Sequence, residues 1–343
     1  MDIIQTLAQQ LNLTAEQVGK TVQLIDEGNT IPFIARYRKE VTGSLDDSVL
    51  RTLDEKLTAL RNLAQRKQEV QDLIGAQGKL TEEVRAAIER AATVTEVDDI
   101  YRPFRPKRKT RASVARERGL EDLAILLFAQ EKSYTPSIEE QAARFVDPER
   151  EVPDVAAALQ GAMDIVAEEV SDNADYRREL RRLTFDAGSL TSKAAKEEDS
   201  VYAMYYDFSE PLRKLPGHRI LAINRGEKEE FLKVALTVPE DVVLGYLYNR
   251  VLSGNRSPAE PYVREAVTDA YNRLIAPSIE REIRNDLFDT ACEGAIKVFS
   301  DNLGHLLMQP PLKGKVVLGF DPGYAHGCKL AVVDPTGKVL DTA

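Results

Sequence analysis

The chain has 343 residues, 43% of them hydrophobic and 30% charged, an ordinary globular composition with apolar material for about two or three domains. No run approaches the roughly 18 apolar residues of a membrane span, and the start, MDIIQTLAQQ, has neither the basic opening nor the apolar stretch of a signal peptide, so a cytoplasmic protein without a membrane partner is expected. Two cysteines, Cys292 and Cys328, and three histidines argue against a disulfide framework or a zinc cluster, so no metal and no cofactor are expected, and a net charge of −10 confines any contact with a polyanion to a local patch.

The first such patch is IPFIARYRKE, with Arg36, Arg38 and Lys39 beside Phe33 and Tyr37. Phe33, Ile34 and Tyr37 sit at helical spacing and read as core, which makes this a secondary candidate for nucleic-acid contact. Next, Leu50, Leu53, Leu57, Leu60 and Ala64 recur at spacings of three and four, an apolar stripe along one helix. Gly43 and Ser44 mark its approach, Asp46 and Asp47 suit its positive end, and Gly75 or Gly78 stops it, giving about 30 residues against a usual length of roughly 11–12. The segment LTEEVRAAIERAATVTEVDDIYRPF predicts two short helices, with Thr81 as a cap and Leu80, Val84, Ile88, Val94, Val97 and Ile100 facing inward. With the end of the long helix they have the size of a helix-turn-helix unit, a pattern shared by bundles that bind nothing.

The segment YRPFRPKRKTRASVARER then sets Arg102, Arg105, Lys107, Arg108, Lys109, Arg111, Arg116 and Arg118 against one acid, Glu117. Pro103 and Pro106 predict an extended, helix-free first half leading into a helix over ASVARERGLEDLAILLF. Arginines and lysines at a helix start, with Tyr101 and Phe104 interleaved for stacking, suit phosphates and unstacked bases; arginine matters most, because its fork grips a phosphate with two hydrogen bonds. The competing reading is that these cations pair with the chain's own acids and brace the fold.

Further on, VPDVAAALQGAMDIVAEEV and SDNADYRRELRRLTFDAG predict two amphipathic helices, with Pro153 in a first turn and Gly188 at a stop. FLKVALTV predicts one isolated strand in an otherwise helical body. At the end, KVVLGFDPGYAHGCKLAVVDPTGKVLDTA holds three apolar runs separated by glycine-bearing turns, the pattern of consecutive antiparallel strands. Asp321 ends the first of them and is a weak catalytic candidate, since a carboxylate at a strand end helps hold a divalent metal in two-metal nucleases and one aspartate alone does not suffice. GFDPG with Lys329 also fits the phosphate loop of an actin-like ATPase, and a plain turn-capping role for Asp321 fits as well.

Three motifs, IPFIARYRKEVTGSLDD, DIYRPFRPKRKTRASVARERGL and GFDPGYAHGCKLAVVD, resemble the bacterial transcription accessory protein family called Tex. Departures from that pattern are Arg118 where a lysine is expected, and Ala325 and His326 where arginine and threonine are expected. The resemblance implies a mainly α fold: a multi-helix body with a long central helix and a helix-turn-helix-like module, followed by the start of an α/β ribonuclease-H-like domain of the YqgF type. It also implies helix-hairpin-helix domains and an S1-type RNA-binding domain farther on. The regions expected are 1–69, an N-terminal helical region; 70–120, the module with its basic loop; 121–312, a helical core; and 313–343, the first ribonuclease-H-like strands. Implied functions are RNA or DNA binding through phosphates and accessory work in transcription without catalysis, with RNA polymerase or ribosome-associated proteins as further partners. A metal-dependent nuclease in the longer protein and a helical protein adaptor are the alternatives.

Overall fold

The computed structural model describes residues 2–196, 198–310, 313–323 and 327–343; Ala325 and His326 lie outside them. In chain order the helices are α1 (Ile3–Leu11), α2 (Ala15–Asp26), α3 (Ile31–Tyr37), α4 (Lys39–Thr42), α5 (Asp47–Ala76), α6 (Glu82–Arg90), α7 (Val94–Tyr101), α8 (Arg111–Glu117), α9 (Glu121–Ala129), α10 (Ile138–Ala142), α11 (Val155–Asp172), α12 (Ala174–Ala187), α13 (Gly217–Lys228), α14 (Glu240–Val251), α15 (Glu260–Asp269) and α16 (Ala276–Leu307). The strands are β1 (Ser189–Ala194), β2 (Asp207–Pro211), β3 (Leu232–Thr237), β4 (Val317–Asp321), β5 (Lys329–Val333) and β6 (Val339–Thr342). The fold is mainly α, with two small sheets. The chain divides into two compact units, one of Met1–Thr191, Ser209–Arg213 and Ala235–Ile283, the other of Ser192–Phe208, Lys214–Val234 and Arg284–Ala343.

In the first unit the 30-residue α5 is the long helix expected, capped by the Asp46 carboxylate accepting from the Val49 amide. Its buried stripe does not stay in one line. Leu50, Leu53 and Leu57 are buried against α1 to α3, whereas the continuation runs through Leu63, Val70 and Ile74 rather than Ala64, and packs with Ile88, Val97 and Tyr101. An ideal helix turns slightly past a strict 3.5-residue repeat, so a helix this long presents successive stretches of its apolar residues to different neighbours. Lys67 falls within that stripe; its ammonium donates to the Glu89 carbonyl at 2.7 Å, and burial holds its pKa below the usual lysine value. Because α5 runs unbroken through residues 69 and 70, the regions expected at 1–69 and 70–120 share one helix.

Helices α6 and α7 follow as expected, with Thr81 capping the first. Val94 is the exception on their inward side: it opens α7 and stays exposed. The single helix expected over ASVARERGLEDLAILLF is two, because the chain between α8 and α9 turns at Gly119 with φ +83°, a left-handed conformation that glycine adopts without steric cost. Asp154, not Pro153, caps α11; Pro153 stands outside the first turn. Between α11 and α8/α9 there is no room for a side chain at Gly161, where a Cβ would come 2.3 Å from Leu120 and 3.3 Å from Ala115. That close approach brings the end of α11 alongside the basic segment.

FLKVALTV forms β3, but not in isolation. It joins a three-stranded sheet in the order β2-β1-β3, whose other strands lack the apolar alternation that would have announced them. In the second unit β4, β5 and β6 form the expected antiparallel sheet, with Val317 opposite Val333 and Asp321 opposite Lys329.

Candidate nucleic-acid interface

The basic segment starts at the last residue of α7 and ends at Arg118, the residue that caps α8. Arg102–Phe104 forms one 3-10 turn with Pro103 inside it, so the extended backbone expected there begins only at Arg105. Proline is tolerated in a first turn because its missing N–H has no helical acceptor. The Thr110 hydroxyl accepts from the Ser113 amide and the Ser113 hydroxyl from the Thr110 amide, a reciprocal cap that fixes where α8 starts.

The aromatic residues of this segment pack against the core. Tyr101 is 7% exposed, within the core that α5, α6 and α7 share, and the Arg66 guanidinium covers its ring at 5.7 Å. Phe104 packs half-buried against the same core, and its carbonyl accepts from the Gln77 side chain at 2.9 Å. Tyr101 is thus enclosed, whereas Phe104 keeps part of its surface open and lines a hollow with Ile100 and Pro103.

The cations divide into two sets. Arg102 donates to Asp172 at 3.2 Å; Lys107 pairs with Glu168 at 3.1 Å and also with Asp172; Arg116 pairs with Glu168 at 2.6 Å and with Glu169 at 3.1 Å. Arg118 pairs with Glu151. The Thr110 hydroxyl adds a hydrogen bond to Glu168 at 3.1 Å. The side chains of Glu168 and Asp172 are only 9% and 11% exposed, so these pairs are sheltered from solvent and held more firmly than surface ion pairs. Burial alone would raise the Glu168 carboxyl, but the Arg116 hydrogen bond and the Lys107 charge outweigh it and hold it below the usual range. Arg102 is pushed down by burial and by the nearby Arg177 charge, against the opposing pull of Asp172.

The second set is Arg105, Arg108, Lys109 and Arg111. All four are exposed, and among the described residues no carboxylate oxygen lies within 4 Å of their charged nitrogens. Arg111 shares a hollow with Asp164, Glu265 and Asp269, where burial raises the Asp164 carboxyl and the Arg273 and Arg111 charges oppose the shift. The clamped cations bracket the free ones along the chain, so the loop is pinned at Arg102, Lys107, Thr110 and Arg116 while Arg105, Arg108, Lys109 and Arg111 face water.

Glu168 and Asp172 were not singled out from the sequence, although they carried a readable signal. They stand one helical turn apart on α11, whose neighbouring positions Ala162, Ile165, Val166, Ala167 and Val170 are buried, and acids on such a face require partners. A second internal network lies nearby. Arg177 on α12 is fully buried, donating to Asp99 at 2.8 Å, Ser278 at 2.7 Å and Glu282 at 3.1 Å, while Arg181 bridges the same two carboxylates; one Arg177 nitrogen, Nη1, has no partner among the described residues.

The secondary group lies on and just after α3. Ile34 is buried with Leu24, Leu45 and Leu50, but Phe33 is only half-buried and Tyr37 is 55% exposed, which corrects the reading of these aromatics as core. Arg36 and Lys39 are exposed and Arg38 is half-buried.

Asp321 ends β4 at the solvent, in register with Lys329. Among the described residues no cluster of three or more His, Cys, Asp or Glu is arranged to hold a metal ion, and no helix is long and apolar enough to cross a membrane.

Three family descriptions match the chain: a Tex-like protein N-terminal domain over residues 1–75, a Tex central region-like segment over 133–299, and a Tex protein YqgF-like domain over 315–343. Among similar proteins are YdcI of Bacillus subtilis strain 168, 45% identical over 98% of this chain and 47% of its own length, and the transcriptional accessory protein Tex of Neisseria gonorrhoeae, 38% identical over 100% and 46%. The human S1 RNA-binding domain-containing protein 1 is 31% identical over 99% of this chain and 35% of its own length. The chain thus spans about half the length of the bacterial relatives it matches.

Proposed function

The chain belongs to the Tex family, and we propose that it acts as a transcription accessory factor that binds nucleic acid through the phosphate backbone, with Arg105, Arg108, Lys109 and Arg111 as the gripping cations. The observation that carries this reading is the division of the basic segment. Buried carboxylates of α11 hold Arg102, Lys107 and Arg116, and the four cations between them are left exposed, with no ion pair among the described residues, on a chain of net charge −10. A pinned loop loses less conformational freedom on binding than a free one, so each phosphate contact retains more of its energy. The contacts are to backbone and not to base edges, which makes binding independent of sequence. Its relatives carry the names transcriptional accessory protein and S1 RNA-binding domain-containing protein, and this makes RNA the first ligand to test.

Asp321 carries no catalytic proposal, since among the described residues it belongs to no group of three or more side chains able to hold a metal ion. Two-metal phosphodiester chemistry needs several carboxylates around one pair of ions.

The test is a salt titration of affinity for a single-stranded RNA, a single-stranded DNA and a duplex. Four neutralised phosphates give a log–log slope of about −3 for single strands and nearer −4 for duplex, and charge reversal of Arg105, Arg108 and Arg111 flattens it. A wild-type affinity that does not change between low and moderate salt rejects the reading.

A further inference from the structure

We propose that α3 carries a separate contact, a stacking platform for one or two unpaired nucleobases, formed by Tyr37 and Phe33 and flanked by Arg36, Arg38 and Lys39. It rests on the reading that the chain binds nucleic acid, but on none of the residues of the basic loop.

The platform follows from how little of α3 is buried. Ile34 enters the core, with Ile31 and Ala35 packed partly against it, which leaves the i, i+4 pair Phe33 and Tyr37 to the side. Their ring centroids are 5.2 Å apart and tilted by 46°, so the two form a shallow aromatic corner. Arg38 stands over the Phe33 ring at 5.1 Å and Arg36 beside the Tyr37 ring at 5.9 Å. The Arg38 guanidinium also donates to the Tyr37 carbonyl at 3.0 Å, which fixes it against the end of the helix. Among the described residues no carboxylate oxygen lies within 4 Å of the charged nitrogens of Arg36, Arg38 or Lys39, in a chain with more acids than bases.

The 55%-exposed Tyr37 ring, backed by the half-buried Phe33 and set beside unneutralised cations, matches the two chemical parts of a single strand, since a base stacks on the open ring while phosphates meet the guanidinium and ammonium groups. A duplex keeps its base faces stacked inside and presents only phosphates. The platform therefore discriminates single strand from duplex, which a purely cationic loop does not. An acidic peptide would satisfy the cations but leave the aromatic corner without a stacking partner.

The chain contains no tryptophan, so Tyr37→Trp installs a sole indole at the site. Saturation with oligo(rA), followed independently by anisotropy of a labelled oligonucleotide, is expected to quench that indole strongly, whereas duplex RNA and inorganic polyphosphate of matched charge leave it nearly unchanged. Tyr37→Ala is expected to weaken oligo(rA) binding roughly tenfold and Tyr37→Phe to restore it, with duplex affinity the same in all three. An unquenched indole on a saturated chain overturns the platform, and equal quenching by polyphosphate reduces it to an anion or acidic-partner site. Quenching that persists after charge reversal of Arg105, Arg108 and Arg111 keeps the platform even if the loop's role fails; loss of salt-dependent duplex binding in that variant with an unquenched indole keeps the loop and rejects the platform.

Discussion

Tyr37 and Tyr101 each close a short helix and each lie under 6 Å from a guanidinium, that of Arg36 or Arg66. Their surroundings are opposite. Helix α7 is packed against the second half of α5 and against Ile88 of α6, so Tyr101 is enclosed, whereas α3 buries Ile34 alone and leaves Tyr37 in water. The cations differ in the same way. The loop after Tyr101 runs past the buried carboxylates of α11, which take Arg102, Lys107 and Arg116; the arginines around Tyr37 meet no acid within ion-pair distance among the described residues. Two segments alike in composition thus acquire different roles. One is an internally braced loop with a cationic outer edge, the other a small aromatic and basic face.

Substitutions sharpen this contrast, and the largest effect is expected at the enclosed ring. Tyr101→Ala empties a core position and should cost about 3 kcal/mol of unfolding free energy by denaturant titration, while Tyr37→Ala should stay within about 0.5 kcal/mol of wild type. A small loss at Tyr101 would abolish the distinction between the two regions. Next comes Asp172→Ala, which strands the charge of Arg102 and leaves Lys107 with Glu168 as its one remaining partner. With those cations partly solvated, about 2 kcal/mol is expected, below the roughly 3–5 of a fully buried pair. Hydrogen exchange of the amides in 104–110 should also quicken in that variant, whereas equal protection in both proteins would show that α11 does not hold the loop.

Acidification probes the same clamp. The folded pKa of Glu168 is depressed, so its stabilisation is complete above the unfolded glutamate value of about 4.3 and disappears as pH falls through the folded value. Glu168→Gln should therefore be less stable than wild type at neutral pH, with the gap closing below about pH 4 in matched urea titrations; a gap independent of pH would remove Glu168's charge from the account. The smallest stability effect belongs to the outer edge. Arg108→Ala should leave unfolding within about 0.5 kcal/mol of wild type, yet lower the salt slope of nucleic-acid binding by about 0.7–0.9, one phosphate's worth. A slope unchanged by this substitution would take Arg108 out of the interface.

Where local chemistry decided the outcome, it was legible in advance. Asp46 capping α5, Thr81 capping α6 and the three antiparallel strands from residue 317 all depend on residues adjacent in sequence. The split between α8 and α9 was also readable, at Gly119, but the helical periodicity on both sides concealed it. β1 and β2 were not readable, because they are short strands with little apolar alternation and owe their conformation to pairing.

The sequence by itself determined that the chain is mainly helical, that one helix is about 30 residues long, that its positive charge is concentrated in two segments, and to which family it belongs. Each of these rests on spacing, capping or motif, and short-range geometry suffices for them. Tertiary structure alone decided which cations are free and which aromatic ring is exposed. Asp172 and Lys107 are 65 residues apart, and only the close passage of α11 over α8 and α9 at Gly161 brings them together. A charge-bearing loop has no intrinsic partner; whether it meets phosphate or carboxylate depends on what the rest of the chain folds against it.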